Sequence, residues 1–377
     1  MGRLKIACVV GTRPDAIKSA PVVLALRRLA PEVETVVVST GQHREMLDQA
    51  LSAFGLRADH DLGIMRHGQT LAEITTRAME GLDRTFADIA PDYVAAQGDT
   101  TTTFVAGLVS FYRRIPFGHI EAGLRTPTID TPFPEEFNRR AAGLVATHHF
   151  APTAWARDNL LAENKPADRI FVTGNTGIDA VRRVASDREQ TWFADDPARV
   201  ILLTTHRREN WGEPQRRIAT TARRIVEAFE DVRLVVPAHR NPQVREVLQR
   251  ALSGHDRIHI VEPPDYASFT KLMQRSTLIL TDSGGVQEEA PSFGVPVLVL
   301  REHTERPEGV QAGVAKLVGT DEEVVFQAAS ELLTDAEAYG RMVHAGSPYG
   351  DGQASDRVAS VILRSLGIDV PEVPMWI

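Results

Sequence analysis

The sequence predicts an α/β chain of two domains, each a doubly wound sheet of parallel strands, and three observations point there. Short apolar, β-branched runs alternate with helical patterns, as βα units on a parallel sheet require. The alternation comes in two series, parted by a polar stretch from Ala185 to Pro197 that is taken as the interdomain connection. The chain has 377 residues, and at roughly 150 residues per domain that length can bury two cores.

The first series opens with a strand from Ile6 to Val10, then Gly11-Thr12-Arg13-Pro14 and an apolar-periodic helix from Ile17 to Leu29. Val36-Val37-Val38 is the next strand. Leu71, Ile74, Ala78, Leu82 and Phe86 are spaced by three and four, which puts all of them on one helix face. Tyr93 to Ala96 forms a strand ending at Gln97-Gly98-Asp99, and Phe117 to Glu121 another ending at Ala122-Gly123. The second series has strands at Val200–Thr204, Leu234–Val236, Ile258–Val261, Leu278–Leu280 and Val297–Leu300, with helices between them. There is no fixed-period repeat and no low-complexity segment.

Composition narrows the function classes. With 42 Lys+Arg against 50 Asp+Glu, the formal charge of −8 leaves no basic surplus for a general nucleic-acid binder. Hydrophobic residues at 43% and charged residues at 24% are globular values, not those of a disordered chain. Cys8 is the one cysteine, so an intramolecular disulfide framework and a multi-cysteine metal site are excluded, and its apolar surroundings make it strand filler. The histidines show no metal-ligand spacing. No apolar stretch is long enough for a membrane span, and no signal-peptide pattern opens the chain, so a cytoplasmic protein is expected.

Open parallel sheets bind ligands at the carboxyl ends of their strands. That rule selects the loops Gly11–Pro14, Gln97–Thr103, Glu121–Arg140, Thr205–Asn210 and Thr281–Glu289. Thr281-Asp282-Ser283-Gly284-Gly285 opens a helix; its backbone N–H groups suit a phosphate, and Glu289 further on suits ribose hydroxyls. A plain strand-to-helix turn capped by Asp or Ser is the other reading. No Gly-x-Gly-x-x-Gly follows the first strand, so a standard nicotinamide or flavin site is unsupported. Arg13 and Lys18 either face an anionic ligand or are solvated cations. Asp99, Glu121, Glu135 and Glu136 make a general acid/base set if burial and crowding raise their pKa values. Structurally, Asp99 would instead cap a helix through Thr103, and Glu135 or Glu136 would pair with Arg139 or Arg140. His206, beside Arg207 and Arg208, suits phosphate or acid/base work, and His239 sits similarly after its strand.

Taken together these segments resemble the non-hydrolysing UDP-N-acetylglucosamine 2-epimerases. The resemblance rests on Gly11-Thr12-Arg13-Pro14-Asp15-Ala16-Ile17-Lys18, Gly98-Asp99-Thr100-Thr101-Thr102-Thr103, His119-Ile120-Glu121-Ala122-Gly123-Leu124-Arg125-Thr126 and Pro134-Glu135-Glu136-Phe137-Asn138-Arg139. Gly174-Asn175-Thr176, His206-Arg207-Arg208-Glu209-Asn210, Thr281 to Pro291, Thr304 to Glu308 and Pro348 to Gly352 continue it in order along nearly the whole chain. Departures are Gln97 where the family usually has His, Thr205 where it has Gly, Pro127 to Pro132 in an altered loop, and Ser347 for Asn.

The resemblance implies a GT-B-like fold of two Rossmann-type domains with an interdomain active-site cleft. The first domain would span 1–180 and be joined by a C-terminal helix at about 355–377; the second would span 181–354. It implies a homodimer that inverts C2 of UDP-GlcNAc to give UDP-ManNAc with neither cofactor nor metal. Asp99, Glu121, Glu135 and His206 would be catalytic. Arg13, Lys18, Arg139 and His239 would hold diphosphate or sugar, Ser283, Gly284 and Gly285 the phosphate, Glu289 the ribose, and Phe269 would lie near uracil, unless it is simply a core aromatic. Gln42, Arg66, Gln69, Glu136 and Arg207 match residues where several bacterial members bind a second UDP-GlcNAc as activator. Competing readings are a hydrolysing epimerase that releases ManNAc and UDP, a GT-B glycosyltransferase, a 2-epimerase for a related nucleotide sugar in a specialised pathway, and a non-catalytic UDP-sugar sensor.

Overall fold

The computed structural model describes residues 3–41, 44–66, 68–187, 189–239 and 241–376. The chain divides into two compact units, Met1–Ala180 with Gly350–Ile377, and Val181–Tyr349. The first unit runs β1 (Lys5–Val10), α1 (Arg13–Leu29), β2 (Glu34–Ser39), α2 (Arg44–Ser52), β3 (His60–Asp61), α3 (Leu71–Ile89), β4 (Tyr93–Gln97), α4 (Thr101–Arg113), β5 (Phe117–Ile120), α5 (Glu135–Val145), β6 (His148–Ala151), α6 (Ala154–Ala162), β7 (Ile170–Val172) and α7 (Thr176–Ser186), the last helix running on into the second unit. The second continues with β8 (Arg199–Thr204), α8 (Glu213–Ala228), β9 (Val232–Pro237), α9 (Pro242–Leu252), β10 (Ile258–Val261), α10 (Tyr266–Arg275), β11 (Leu278–Thr281), α11 (Gly284–Glu289), β12 (Val297–Val299), α12 (Pro307–Gln311), β13 (Ala315–Leu317), α13 (Glu322–Thr334) and α14 (Ala336–His344). The chain then returns to the first unit as α15 (Ala354–Ser365).

Each unit is built on a parallel sheet. The first has seven strands in the order β3-β2-β1-β4-β5-β6-β7, and the second has six in the order β10-β9-β8-β11-β12-β13. Every strand pairing among the described residues is parallel. Helices cover the sheets, so central strands are apolar throughout: Ile6, Ala7, Cys8, Val9 and Val10 are all nearly inaccessible. Burial pushes the Cys8 thiol up to about 12, consistent with inert strand filler. In the first unit, Val9, Val38 and Ala96 pack with Ala78, Leu82 and Phe86 of α3 and Val105 of α4. Leu71 of the α3 stripe is instead exposed, because it is the helix's first residue, just past the Thr70 cap. In the second unit, Leu203, Leu234, Leu280 and Leu298 pack with Ile218 and Ile225 of α8. The polar stretch 185–197 lies within the second unit; Trp192 and Phe193 pack on its core, and Trp192 Nε1 donates to Ser268 O at 2.9 Å.

α15 packs against α1. The Asp179 carboxylate of α7 accepts from Ser355 N (2.7 Å), Ser355 Oγ (2.6 Å) and Ala354 N (3.3 Å), which caps the α15 N-terminus. Arg357, almost wholly buried, donates to Thr173 O (3.0 Å) and Pro374 O (2.5 Å) and holds Asp351 through two bonds of 2.7 Å. These bonds make the last 28 residues of the chain part of the first unit's fabric.

Strand order reverses between β1 and β4 in one unit and between β8 and β11 in the other. Loops at the carboxyl ends of these strand pairs are where a doubly wound sheet offers a binding crevice. Among the described residues no helix is long and apolar enough to cross a membrane.

Candidate active site

At the first unit's reversal, α1 begins at Arg13, four residues ahead of the apolar-periodic stretch, because Thr12 caps it and Pro14 suits a first turn. One turn on, Lys18 forms an ion pair with Glu121 at the end of β5. Gln97, buried at the end of β4, donates to the other Glu121 oxygen at 2.5 Å. Glu121 itself holds φ at +64°, a left-handed conformation that non-glycine residues adopt mainly where surrounding structure enforces it. Beside it, Asp99 pairs with Arg139 of α5, and Asn138 Nδ2 donates to Asp99 O at 2.9 Å. Thr100, not Asp99, caps α4, accepting from Thr103 N. Glu136 is fully buried and shared between Arg139 (2.8 Å) and Arg140 (2.6 Å), so the helical-spacing pairing holds for it. Glu135, half-exposed at the start of α5, has no side-chain partner among the described residues, and neither has Arg13.

Sequence reasoning left two groups here unremarked. Asp15 is buried, and one of its oxygens accepts from Thr12 N and Thr100 Oγ1, both at 3.1 Å. Burial pushes it up to about 7, opposed by the Thr12 and Thr100 hydrogen bonds and assisted by the charge of Asp99. A Cβ built on Gly98 would lie 3.5 Å from Glu121 Oε2 and 3.9 Å from Asp15 Oδ1, so both carboxyls crowd the same glycine. His119 is buried too; its Nε2 meets Gly98 O at 2.7 Å, and burial lowers its pKa to about 4, which keeps the ring neutral.

The second unit's reversal is arranged differently. Asp282, inaccessible at the end of β11, accepts from Thr205 Oγ1 (3.1 Å), His206 N (3.0 Å), Arg207 N (3.0 Å) and Asn210 Nδ2 (3.0 Å), and lies 3.2 Å from His206 Nδ1. Burial alone would raise its pKa, but these donors and the His206 ring hold it below the ordinary carboxylate range. Asp282 is therefore a cross-brace between the two loops; Ser283 is the N-terminal cap residue of α11 and makes no side-chain capping bond. The brace presents His206, whose ring stacks on that of His239 with centroids 6.1 Å apart. A Cβ on Gly284 would come within 3.7 Å of Arg207 Nη2 and 4.0 Å of Arg306 Nη2. Arg207 Nε is buried without a hydrogen-bond partner. Arg306 is fixed by Glu288, and the Glu289 side chain reaches back to 4.0 Å from the Cβ position of Gly285. Imidazoles and guanidiniums around a Gly-Gly turn can hold a polyanion. Arg306, part of the quoted Thr304 to Glu308 segment, was given no role from sequence; its position beside Gly284 became legible only with the fold.

The remaining expected residues are spread more widely. Phe269 is half-buried against the second unit's core. Of the residues matched to an activator site, Arg66 and Gln69 adjoin, with Arg66 N donating to Gln69 Oε1 at 2.5 Å. Glu136 lies in the same unit with both oxygens engaged, Arg207 belongs to the other unit, and Gln42 lies outside the described residues. Among the described residues no group of three or more His, Cys, Asp or Glu side chains is placed to hold a metal ion.

Comparison with known proteins agrees with this arrangement of motifs. The family model described as UDP-N-acetylglucosamine 2-epimerase matches residues 25–363. The chain is 53% identical over 369 residues to the UDP-N-acetylglucosamine 2-epimerase of Bacillus subtilis, covering 97% of each protein. It resembles the crystal structure of the Neisseria meningitidis UDP-GlcNAc 2-epimerase bound to UDP-GlcNAc, with a TM-score of 0.86 at 45% identity, covering 96% of this chain and 100% of that one. A glycosyltransferase structure, that of kitacinnamycin, shares the fold alone, with a TM-score of 0.66 at 12% identity over 97% of this chain and all of that one. The fold class is thus α/β and GT-B-like, two Rossmann-type parallel sheets, and the chain belongs to the UDP-N-acetylglucosamine 2-epimerase family.

Proposed function

We propose that this protein is a non-hydrolysing UDP-GlcNAc 2-epimerase, an isomerase that interconverts UDP-GlcNAc and UDP-ManNAc in the cytoplasm. The observation that carries the reading is the carboxylate cluster at the first unit's strand reversal, where Asp99 and Glu121 are each held by a cation while Glu135 has no side-chain partner among the described residues. Inversion at C2 needs groups that take a proton from one face of the sugar and return one to the other. In the elimination, the C2–H electron pair becomes the C1=C2 bond of 2-acetamidoglucal, and the C1–O electrons leave with UDP. Re-addition reverses both steps, with the proton arriving on the opposite face, so the cycle is redox-neutral.

In this scheme the first unit is the catalytic half and the second the nucleotide half. Asp99, Glu121 and Glu135 handle the proton. His206 and Arg207, with the Ser283-Gly284-Gly285 turn, stabilise the departing diphosphate. Arg13, Lys18, Arg139 and His239 hold diphosphate and sugar, Glu289 the ribose, and Phe269 flanks uracil. Arg66, Gln69 and Gln42 would serve a second UDP-GlcNAc. A homodimer is the expected assembly, supported by the exposed apolar side chains Phe111, Tyr112, Phe133 and Leu144.

The test is NMR of UDP-GlcNAc incubated with the pure protein in D2O, without added cofactor. Deuterium at C2 with accumulating UDP-ManNAc is the expected result. Free ManNAc and UDP would make it a hydrolysing enzyme. Transfer of the sugar to an added acceptor would make it a glycosyltransferase, and no exchange would refute epimerisation of this substrate.

A further inference from the structure

A Thr-x-x-Asp capping box is ordinarily a surface device that serves only its own helix. The box of α1, Thr12 with Asp15, departs from that in two ways. Asp15 is 4% exposed, and the oxygen that accepts from Thr12 N also accepts from Thr100 Oγ1. Thr100 is itself the cap residue of α4, its hydroxyl accepting from Thr103 N and lying 3.3 Å from Thr103 Oγ1. One carboxylate oxygen therefore joins the first turns of two helices, α1 after β1 and α4 after β4. These are the two loops flanking the strand reversal. Asp15 stands between Arg13, two residues back on its own turn, and Asp99, the residue before Thr100. Like Glu135, Asp15 has no cation partner among the described residues: Lys18 is taken by Glu121, and Arg139 by Asp99 and Glu136. Its hydrogen-bond donors are a backbone amide and a hydroxyl, so the group is built to fix geometry and not to balance charge.

We propose that Asp15 is a positioning residue, whose buried carboxylate clamps the Arg13 loop to the Asp99 loop through Thr100 and so sets the spacing of the diphosphate-binding and proton-transfer groups. The inference rests on the epimerase reading above. Misplacing reacting groups by an ångström lowers turnover much more than it lowers binding. The clamp should therefore act mainly on kcat and less on UDP affinity, most of which the second unit would supply.

The experiment compares wild type with Thr100→Val, Thr100→Ser, Asp15→Ala and the double variant Asp15→Ala/Thr100→Val, reading kcat, KM for UDP-GlcNAc, UDP affinity and Tm. The expected result is that Thr100→Val and Asp15→Ala each lower kcat by about tenfold. The double variant should be no worse than the poorer single one, because both remove the same contact. Thr100→Ser, which keeps the hydroxyl, should recover most of the lost turnover. Wild-type kcat in Thr100→Val, or losses that multiply in the double variant, would overturn the clamp. A wild-type protein with no epimerase turnover would sink the functional reading instead. The same four variants would then test the clamp by thermal unfolding, where additive Tm losses would overturn it.

Discussion

Both sheets reverse strand order once, and both place a buried aspartate at the reversal, yet the two carboxyls have opposite characters. Asp282 receives a hydroxyl, two backbone amides, a side-chain amide and the edge of His206, and its pKa falls below the ordinary range. Asp15 receives one amide and one hydroxyl, faces Asp99, and is pushed up to about 7. Burial disfavours charge at both sites; the number of donors decides which way each one goes. In the second unit the acid is consumed as a brace, and the Arg207 and Arg306 guanidiniums lie beside Gly284. In the first, Lys18 and Arg139 are engaged by Glu121 and Asp99, and the buried acid Asp15 is left with two neutral donors. Topology sets the two aspartates at matching places, and donor count decides the character of each.

That contrast can be broken in four places. Glu121→Gln or Asp99→Asn should lower turnover by about a hundredfold or more while UDP binding, measured by calorimetry, stays within about twofold. Equal losses of UDP affinity would mean that the two units do not divide the work. Asp282→Ala strands the Thr205–Asn210 donors and should cost about 2–3 kcal/mol of stability in urea unfolding. A Tm unchanged from wild type would show that the brace is dispensable. Arg13→Ala should weaken UDP-GlcNAc binding by about tenfold with a smaller change in kcat, since its guanidinium has no side-chain partner among the described residues.

The smallest effect is in pH. Because the Asp15 pKa is raised in the folded protein, its contribution is full below about pH 4 and is lost as pH rises through about 7. Asp15→Asn should therefore gain stability relative to wild type between pH 5 and pH 8, by at most about 1.4 kcal/mol for each pKa unit lost. Asp282, with a lowered pKa, contributes above the unfolded carboxylate value and loses that contribution only as pH falls through its folded value. Around Asp15, Glu121 approaches the same Gly98 and is ion-paired with Lys18, and Asp99, the nearby charge that helps raise the Asp15 pKa, is ion-paired with Arg139. A pH slope that is identical in Asp15→Asn and wild type would dissolve the distinction.

The alternation of strands and helices was legible because strands buried on both faces read as unbroken apolar runs, Ile6 to Val10 above all. β3 is two exposed residues, His60 and Asp61, held only by pairing with β2, so no local pattern marks it. β6 carries two histidines, one of them buried beside Phe150, and its strand character depends on the neighbours it meets. At the site, motif residues such as Lys18, Asp99 and Glu121 were readable as candidates, but their pairing was not. Which of Glu135 and Glu136 would bond to Arg139 was undecided by spacing, since both lie within a helical turn or so of it. Asp15 escaped notice because Thr12-Arg13-Pro14-Asp15 looks like an ordinary cap; only burial beneath Thr100, a partner 85 positions away in the chain, gives it a second role.

The second unit is one uninterrupted segment, 181–349, set into a first unit whose closing helix is α15. Chain order therefore imposes a schedule during synthesis. The inserted sheet has all of its strands and helices before the ribosome reaches residue 350, whereas the first sheet must wait for α15 to cover α1 and for Arg357 to tie down Thr173. The first unit is the last to be finished, so stalled or clipped chains lacking residues 350–377 should retain a folded second unit and an incomplete first one.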